Sequence, residues 1–416
     1  GMIGTFVAQD MVLFFVFFEV VLLPMFFMIA VWGGPNRKYA SLKFFLYTLF
    51  GSALMLVSFL SLFFLTGAES FVFSEIADNV VANAVSRTAQ LWIFGGMFLG
   101  FVIKVAMFPF HTWLPDALTE APTVGSEILA AVLLKLGTYG FVRIAIPLLP
   151  DAAVEWAPWI GLLAVIGIIY GAFCCLAQTD MKRLIAFSSV AHMGFVMLGI
   201  STLTDFGINA AIMGMVAHGL ITGMLFFLAG SMKERYHTLE IKRLGGLLVQ
   251  APKMGWILGF CAMASLGLPG LAGFWGEFPA ILSAYNPANG LPVETFRTFM
   301  VIAALGTVLA AGYLLWLLQR SAFGTPKEEF AEDPNIYDTT KTEWIAWAPL
   351  LALILAIGIY PNLVFRATAA AVDASLTPCL TIDADKSTHE EIESAHCSEV
   401  YGLSDHGPDD HTASKG

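Results

Sequence analysis

Residues 91–147 read LWIFGGMFLGFVIKVAMFPFHTWLPDALTEAPTVGSEILAAVLLKLGTYGFVRIAIP, and this stretch decides the fold. It holds two apolar segments of bilayer length, each with one lysine near its middle. Between Arg87 and Asp116 the only formal charge is Lys104, and between Glu127 and Arg143 it is Lys135. An ammonium group at that depth costs about 2.5–3.5 kcal/mol on insertion scales, so such residues line a polar pathway or pair with a buried carboxylate. Pro109 and Pro115 remove backbone donors between the lysines, and His111 adds a group that titrates near neutral pH. A helix broken inside a membrane exposes backbone polar groups, which only protein or water can satisfy. The stretch therefore predicts a hydrated interior.

Composition points the same way. The chain is 57% hydrophobic and 13% charged, with 35 phenylalanines among 416 residues, and many apolar runs reach the length of a membrane-crossing helix. An all-α integral membrane protein follows, a polytopic helical bundle. The net charge of −11 lies mostly beyond Thr368, and no basic stripe suits nucleic acid. The five cysteines show no zinc-ligand spacing, and no glycine pattern fits a nucleotide or phosphate loop, so neither a metal nor a cofactor site is expected on the chain. Cys379 and Cys397 could pair if the tail faces an oxidising space.

Ten spans are expected, at about 11–32, 42–66, 90–115, 123–147, 157–178, 183–201, 207–232, 254–284, 297–319 and 344–365. Alternating loops then place Arg37, Lys38, Lys182, Arg183, Lys242, Arg243, Arg320 and Lys341 on one face, opposite Arg87, Arg143, Arg297 and Arg366. By the positive-inside rule the first face is cytoplasmic and the acidic tail lies on the other side. Residues 324–343 read as a solvated cytoplasmic connector, and 368–416 as a disordered acidic tail.

Other ionisable residues recur at mid-span. Glu19 lies alone in MVLFFVFFEVVLLPMFFMIAVW, where desolvation leaves it neutral or paired, with Lys104 or Lys135 as its natural partner. His192 and His218 sit inside neighbouring spans. The span from Met254 to Ala284 repeats the anatomy of the opening stretch: an apolar half-helix, then Gly267, Pro269 and Gly270, then a second half carrying Glu277. Corresponding interrupted segments in two halves mark an inverted repeat with its site at the breaks. The spans at 297–319 and 344–365 have no central charge and read as scaffold.

The runs FVIKVAMFPFHTWLPDALTEAPTVGSEILAAVLLKLGTYGFVR, AQTDMKRLIAFSSVAHMGFVMLGI, MVAHGLITGMLFFLAGSMKERYHTLEIKRLGGL and LPGLAGFWGEF, taken in order, resemble the antiporter-like membrane subunits of respiratory complex I. The likeness extends from residue 1 to about 365. Glu277 favours the M-type branch, to which mitochondrial NADH dehydrogenase subunit 4 belongs, because the L and N types and the Mrp antiporters typically carry lysine there. The resemblance implies fourteen transmembrane helices in two inverted five-helix units with two broken helices. This chain has ten, and its start looks like the end of the family's fourth helix, so the N-terminal helices are expected to be missing or encoded elsewhere. Residues 1–147 would form the first, partial half (spans 1–4), 148–320 the second (spans 5–9), and 321–367 a loop with the last span.

Residue by residue, the resemblance makes Glu19 and Lys104 a coupled pair, Lys135 the link to the centre, His192 and His218 central relay residues and Glu277 the terminal carboxylate, with His111 in a weaker role. It implies proton translocation in the bacterial inner membrane, driven by redox chemistry elsewhere. Flavin, iron–sulfur clusters and quinone would belong to partner subunits, and the adjoining membrane subunits would be L-type and N-type. The alternatives are an Mrp-type cation/proton antiporter subunit, a membrane subunit of a related hydrogenase, and a structural scaffold, which leaves the buried charges unexplained.

Overall fold

A computed structural model describes residues 1–82 and 85–380. Nine helices among them are long and apolar enough to cross a membrane. They are α1 (Met11–Trp32), α2 (Arg37–Thr66), α3 (Arg87–Val105), α5 (Thr123–Leu148), α6 (Pro150–Leu176), α7 (Met181–Ser201), α8 (Asp205–Tyr236), α11 (Val293–Ser321) and α12 (Lys341–Ile359). The short α4 (Trp113–Glu120) continues α3 after a break. A tenth crossing is divided into α9 (Pro252–Ser265) and α10 (Ala272–Ser283). α13 (Asn362–Leu380) follows the last span.

Each interruption has a local cause. In α1, Pro24 cannot donate to the Val20 carbonyl, and the helix is broken at Val21, next to Glu19. α3 stops where Ala106 turns left-handed, and α4 starts with Pro115 in its first turn, where a missing N–H is harmless. The second break uses Gly267 and Gly270, both at positive φ. A tryptophan beside each gap donates to a main-chain carbonyl: Trp113 Nε1 spans the first gap to the Ile103 carbonyl at 2.9 Å, and Trp275 Nε1 ties α10 to the Gly358 carbonyl of α12 at 2.7 Å. α5 stays continuous but widens into π-turns at 129–133 and 141–145, on either side of Lys135.

Backbone bonds place the basic loops on one face. Gly34 N donates to Glu120 O at 2.8 Å, Met181 N to Leu239 O at 2.9 Å, and Gly246 N to Phe323 O at 3.0 Å. Met11 N to Phe71 O and Ala288 N to Thr202 O tie loops on the other face. α7 is the axis of the bundle, with 94% of its apolar window buried among α4, α6, α8, α10 and α11.

Two sequence expectations are corrected. Residues 324–343 stay largely exposed but are anchored to the bundle at several points, so the connector is not free. Arg235, at the end of α8 and 1% exposed, reaches Glu343 with both terminal nitrogens at 2.9 Å and donates to the Tyr337 carbonyl at 2.8 Å. The Asp338 carboxylate accepts from Lys253 N and Met254 N at the start of α9. A buried guanidinium fully used by such partners gathers three helix ends. Residues 368–380, expected to belong to a disordered tail, are helical instead: α13 runs to Leu380, buries Val372 and Leu376 and joins α8 through Thr368 and Asn209 at 2.8 Å. Cys397 and the tail histidines lie outside the described residues.

Removing one partner of a buried ion pair strands the other. Arg235→Ala is expected to cost about 3 kcal/mol. The double variant with Glu343→Ala should cost less than the sum of the singles. Thermal unfolding of detergent-solubilised protein measures both.

Candidate functional site

Four of the residues singled out in the sequence meet in one buried row. Lys135 Nζ lies 2.7 Å from His218 Nδ1 and 2.6 Å from the Ala130 carbonyl, which belongs to the π-turn preceding it. π-turns inside α-helices accompany functional sites because they re-aim side chains and carbonyls. The His218 ring lies 5.8 Å from that of His192, centroid to centroid. His192 Nδ1 in turn meets Glu277 Oε1 at 2.5 Å. α5, α8, α7 and α10 each contribute one member.

Small residues allow this convergence. A Cβ on Gly276 would lie 2.4 Å from the Gly214 Cα, and one on Gly273 would lie 2.1 Å from the Ala264 carbonyl. α10 is thereby pressed against α8 and against the end of α9. A cavity of about 20 Å³ remains between them, lined by His192, His218, Glu277, Ser265, Thr222 and small or apolar neighbours.

The first half is arranged differently. Lys104, 1% exposed, places Nζ 3.4 Å from the Phe18 carbonyl and 4.4 Å from the face of the Phe18 ring. Glu19 is half-buried on the same turn of α1, and its Oε1 is buried without a hydrogen-bond partner. The pair expected from the sequence is therefore close but not joined. No hydrogen bond links Lys104 to Lys135 among the described residues. His111 is apart from the row: its ring packs against Phe108 and Tyr170, 5.9 and 4.9 Å away, and its Nδ1 is buried without a partner.

Sequence reasoning missed two members. Tyr313, fully buried on α11, places its hydroxyl 3.1 Å from His192 Nε2, and Ser265 Oγ lies 3.2 Å from the same nitrogen. The span holding Tyr313 is thus part of the site and not only scaffold. A tyrosine in an apolar run carries no charge penalty to expose it, whereas Ser265, next to the break in the tenth crossing, had a signal in its position. Glu127, half-buried two turns before Lys135, faces Gly223 of α8.

Residues 8–306 match the family model described as NADH:quinone oxidoreductase/Mrp antiporter, transmembrane. The chain is 43% identical over 370 residues to NADH-quinone oxidoreductase subunit M of Rhodobacter capsulatus, covering 87% of this chain and 70% of the relative. Its fold is similar to a chain of respiratory complex I from Thermus thermophilus, with TM-score 0.81, 33% identity, and 90% and 76% of the two chains covered. It is also similar to a chain of the Mrp complex from Dietzia sp., with TM-score 0.79 and 26% identity over 90% of this chain and 39% of that one.

The glycine contact at the site is testable. Gly276→Ala should destabilise the protein by about 1–3 kcal/mol through overpacking and loosen Glu277 from His192. Gly312→Ala, where a Cβ meets nothing within 4 Å, should be neutral or stabilising by up to about 1 kcal/mol. Thermal unfolding of the two variants checks the contrast.

Proposed function

Since the chain belongs to the NADH:quinone oxidoreductase/Mrp antiporter transmembrane family, we propose that protons cross the membrane along the buried row that Glu19, Lys104, Lys135, His218, His192 and Glu277 build, His192 lying between His218 and Glu277. It is a multi-pass, proton-translocating membrane subunit of an NADH:quinone oxidoreductase. The observation that carries the relay is the contact of Lys135 with His218 at 2.7 Å beside that of His192 with Glu277 at 2.5 Å, deep in a low-dielectric interior.

Electrostatics give such a row its driving step. Two unit charges about 7 Å apart at an effective dielectric near 20 interact by roughly 2.4 kcal/mol. Moving one charge against 100 mV costs about 2.3 kcal/mol. Bringing Glu19 to Lys104, or drawing it away, therefore changes the affinity of the lysine for its proton by an amount comparable to the membrane potential. The unjoined pair has the freedom for that step, since Glu19 Oε1 is not held by another bond. Lys135, already against an imidazole, hands the charge inward, and His111 serves the fold of the broken helix rather than the row.

In this reading, redox chemistry belongs to partner subunits, which carry the flavin, the iron–sulfur clusters and the quinone site. The neighbouring membrane subunits are of the L and N types. Residues 1–147 and 148–320 act as two inverted halves. The basic face is cytoplasmic in a bacterial inner membrane, so α13 and the acidic tail lie on the periplasmic side. An Mrp-type antiporter subunit is the second reading, favoured by the likeness to the Mrp complex. The 43% identity to the complex I subunit, and Glu277 in place of lysine, favour the first.

Lys104→Ala and Glu19→Ala should each lower NADH-driven proton pumping and coupled quinone reduction while the complex still assembles. Acidification of proteoliposomes measures this, and unchanged pumping at normal assembly rejects the roles of these residues. Sodium-dependent proton movement in membranes that do not oxidise NADH would instead favour the antiporter reading.

A further inference from the structure

Two atoms at the centre of the protein are buried without a hydrogen-bond partner, His218 Nε2 and Glu277 Oε2. The two residues, 7% and 8% exposed, line the same small cavity. Leaving such atoms unsatisfied costs about 1–3 kcal/mol each. A cavity of about 20 Å³ has room for one water, and a water needs polar partners on its walls. Thr222 and Ser265 add hydroxyls to those walls, and Gly214, Gly273 and Gly276 contribute no side chain to fill the space.

His192 lacks this freedom. Its Nδ1 is engaged by Glu277 Oε1, and its Nε2 faces the hydroxyls of Tyr313 and Ser265. With the hydrogen on Nδ1, the ring donates to the carboxylate and accepts at Nε2 from a hydroxyl. A proton arriving at that nitrogen would have to displace both hydroxyls, one of them on a tyrosine with no exposed surface.

We propose that the proton bypasses His192, passing from His218 Nε2 through one water in the cavity to Glu277 Oε2, and that His192, held by Tyr313 and Ser265, is a positioning residue that aims the carboxylate. The inference rests on the relay reading given above. In the step, Lys135 Nζ–H first protonates His218 Nδ1, giving an imidazolium and a neutral amine. The Nε2–H bond then breaks as that proton joins the water, while the water gives one of its own hydrogens to Glu277 Oε2. The water is regenerated, Glu277 becomes a neutral acid, and His218 keeps its hydrogen on Nδ1. His218 must therefore return to its Nε2–H tautomer before the next proton arrives.

The test uses the assembled complex in proteoliposomes, driven by NADH and a soluble quinone, with NADH oxidation by an artificial acceptor as a control for assembly. His218→Gln should lower pumping by about tenfold or more, as expected on removing a proton-transfer group. His192→Gln, whose amide can donate to Glu277 and accept from Tyr313, should retain more than about half of the pumping. Infrared difference spectra provide the second readout. The protonated-carboxyl band that Glu277→Gln removes should shift in His192→Gln and Tyr313→Phe and fail to develop in His218→Gln. If His192→Gln loses pumping as fully as His218→Gln, the proton passes through His192 and the bypass is wrong while the relay stands. If the band is unmoved in His192→Gln and Tyr313→Phe, the positioning role is wrong. If His218→Gln pumps normally, the relay reading and the bypass both fail.

Discussion

A bilayer offers no partner for a backbone carbonyl or an ammonium group, so every polar atom in this bundle must be satisfied from within. The two broken helices would be untenable without that internal supply. Trp113 and Trp275 are buried or half-buried indoles whose single donors go to main-chain carbonyls near the gaps. The first bond joins the two halves of its broken helix, and the second ties the half-helix α10 to the last span. Lys104 and Lys135 depend on the same economy, since each reaches a main-chain carbonyl, Phe18 O and Ala130 O.

The two halves use this supply differently. In the first, Lys104 rests against a carbonyl and a ring face, contacts that suit a cation but transfer no proton. Glu19 lies on the same turn, beside the interruption at Val21, with a buried oxygen that nothing holds. In the second, each titratable group touches another group able to exchange a proton with it. On the proposed route, a small movement of α1 would join or part the pair of the first half, whereas the second half already holds Lys135 against His218 and needs one water to reach Glu277. The π-turns around Lys135 place the junction between the two regimes on a helix whose side chains have been re-aimed.

Much of this was legible in the sequence because the costly residues announce themselves. Lys104, Lys135 and Glu277 have no acceptable place in an apolar span except inside it, and the Gly and Pro clusters at 109–115 and 267–270 locate the breaks. The span expected at 254–284 is the divided α9–α10 pair. Tyr313 was hidden because a hydroxyl on an aromatic ring costs little to bury once bonded, so it resembles any other apolar residue of α11. The docking of residues 324–343 was hidden for a different reason. Composition marks that loop as acidic, and only the position of Arg235 at the end of α8 shows that its acids are used as ligands for a buried cation and a helix N-terminus.

That docked loop also bears on the site. Asp338 caps α9 through Lys253 N and Met254 N, and α9 ends at Ser265, one of the two hydroxyls on His192. Arg235 lies at the end of α8, the helix that carries His218. The ion pair on the basic face therefore fixes the outer ends of two helices whose inner residues meet at the cavity. Helices are stiff along their axes, so holding those ends limits how far His218 and Ser265 can slide past each other. A transfer that depends on one water between two orphan atoms tolerates little such sliding. The buried guanidinium exchanges no proton itself, yet it anchors the helix that carries one wall of the central cavity.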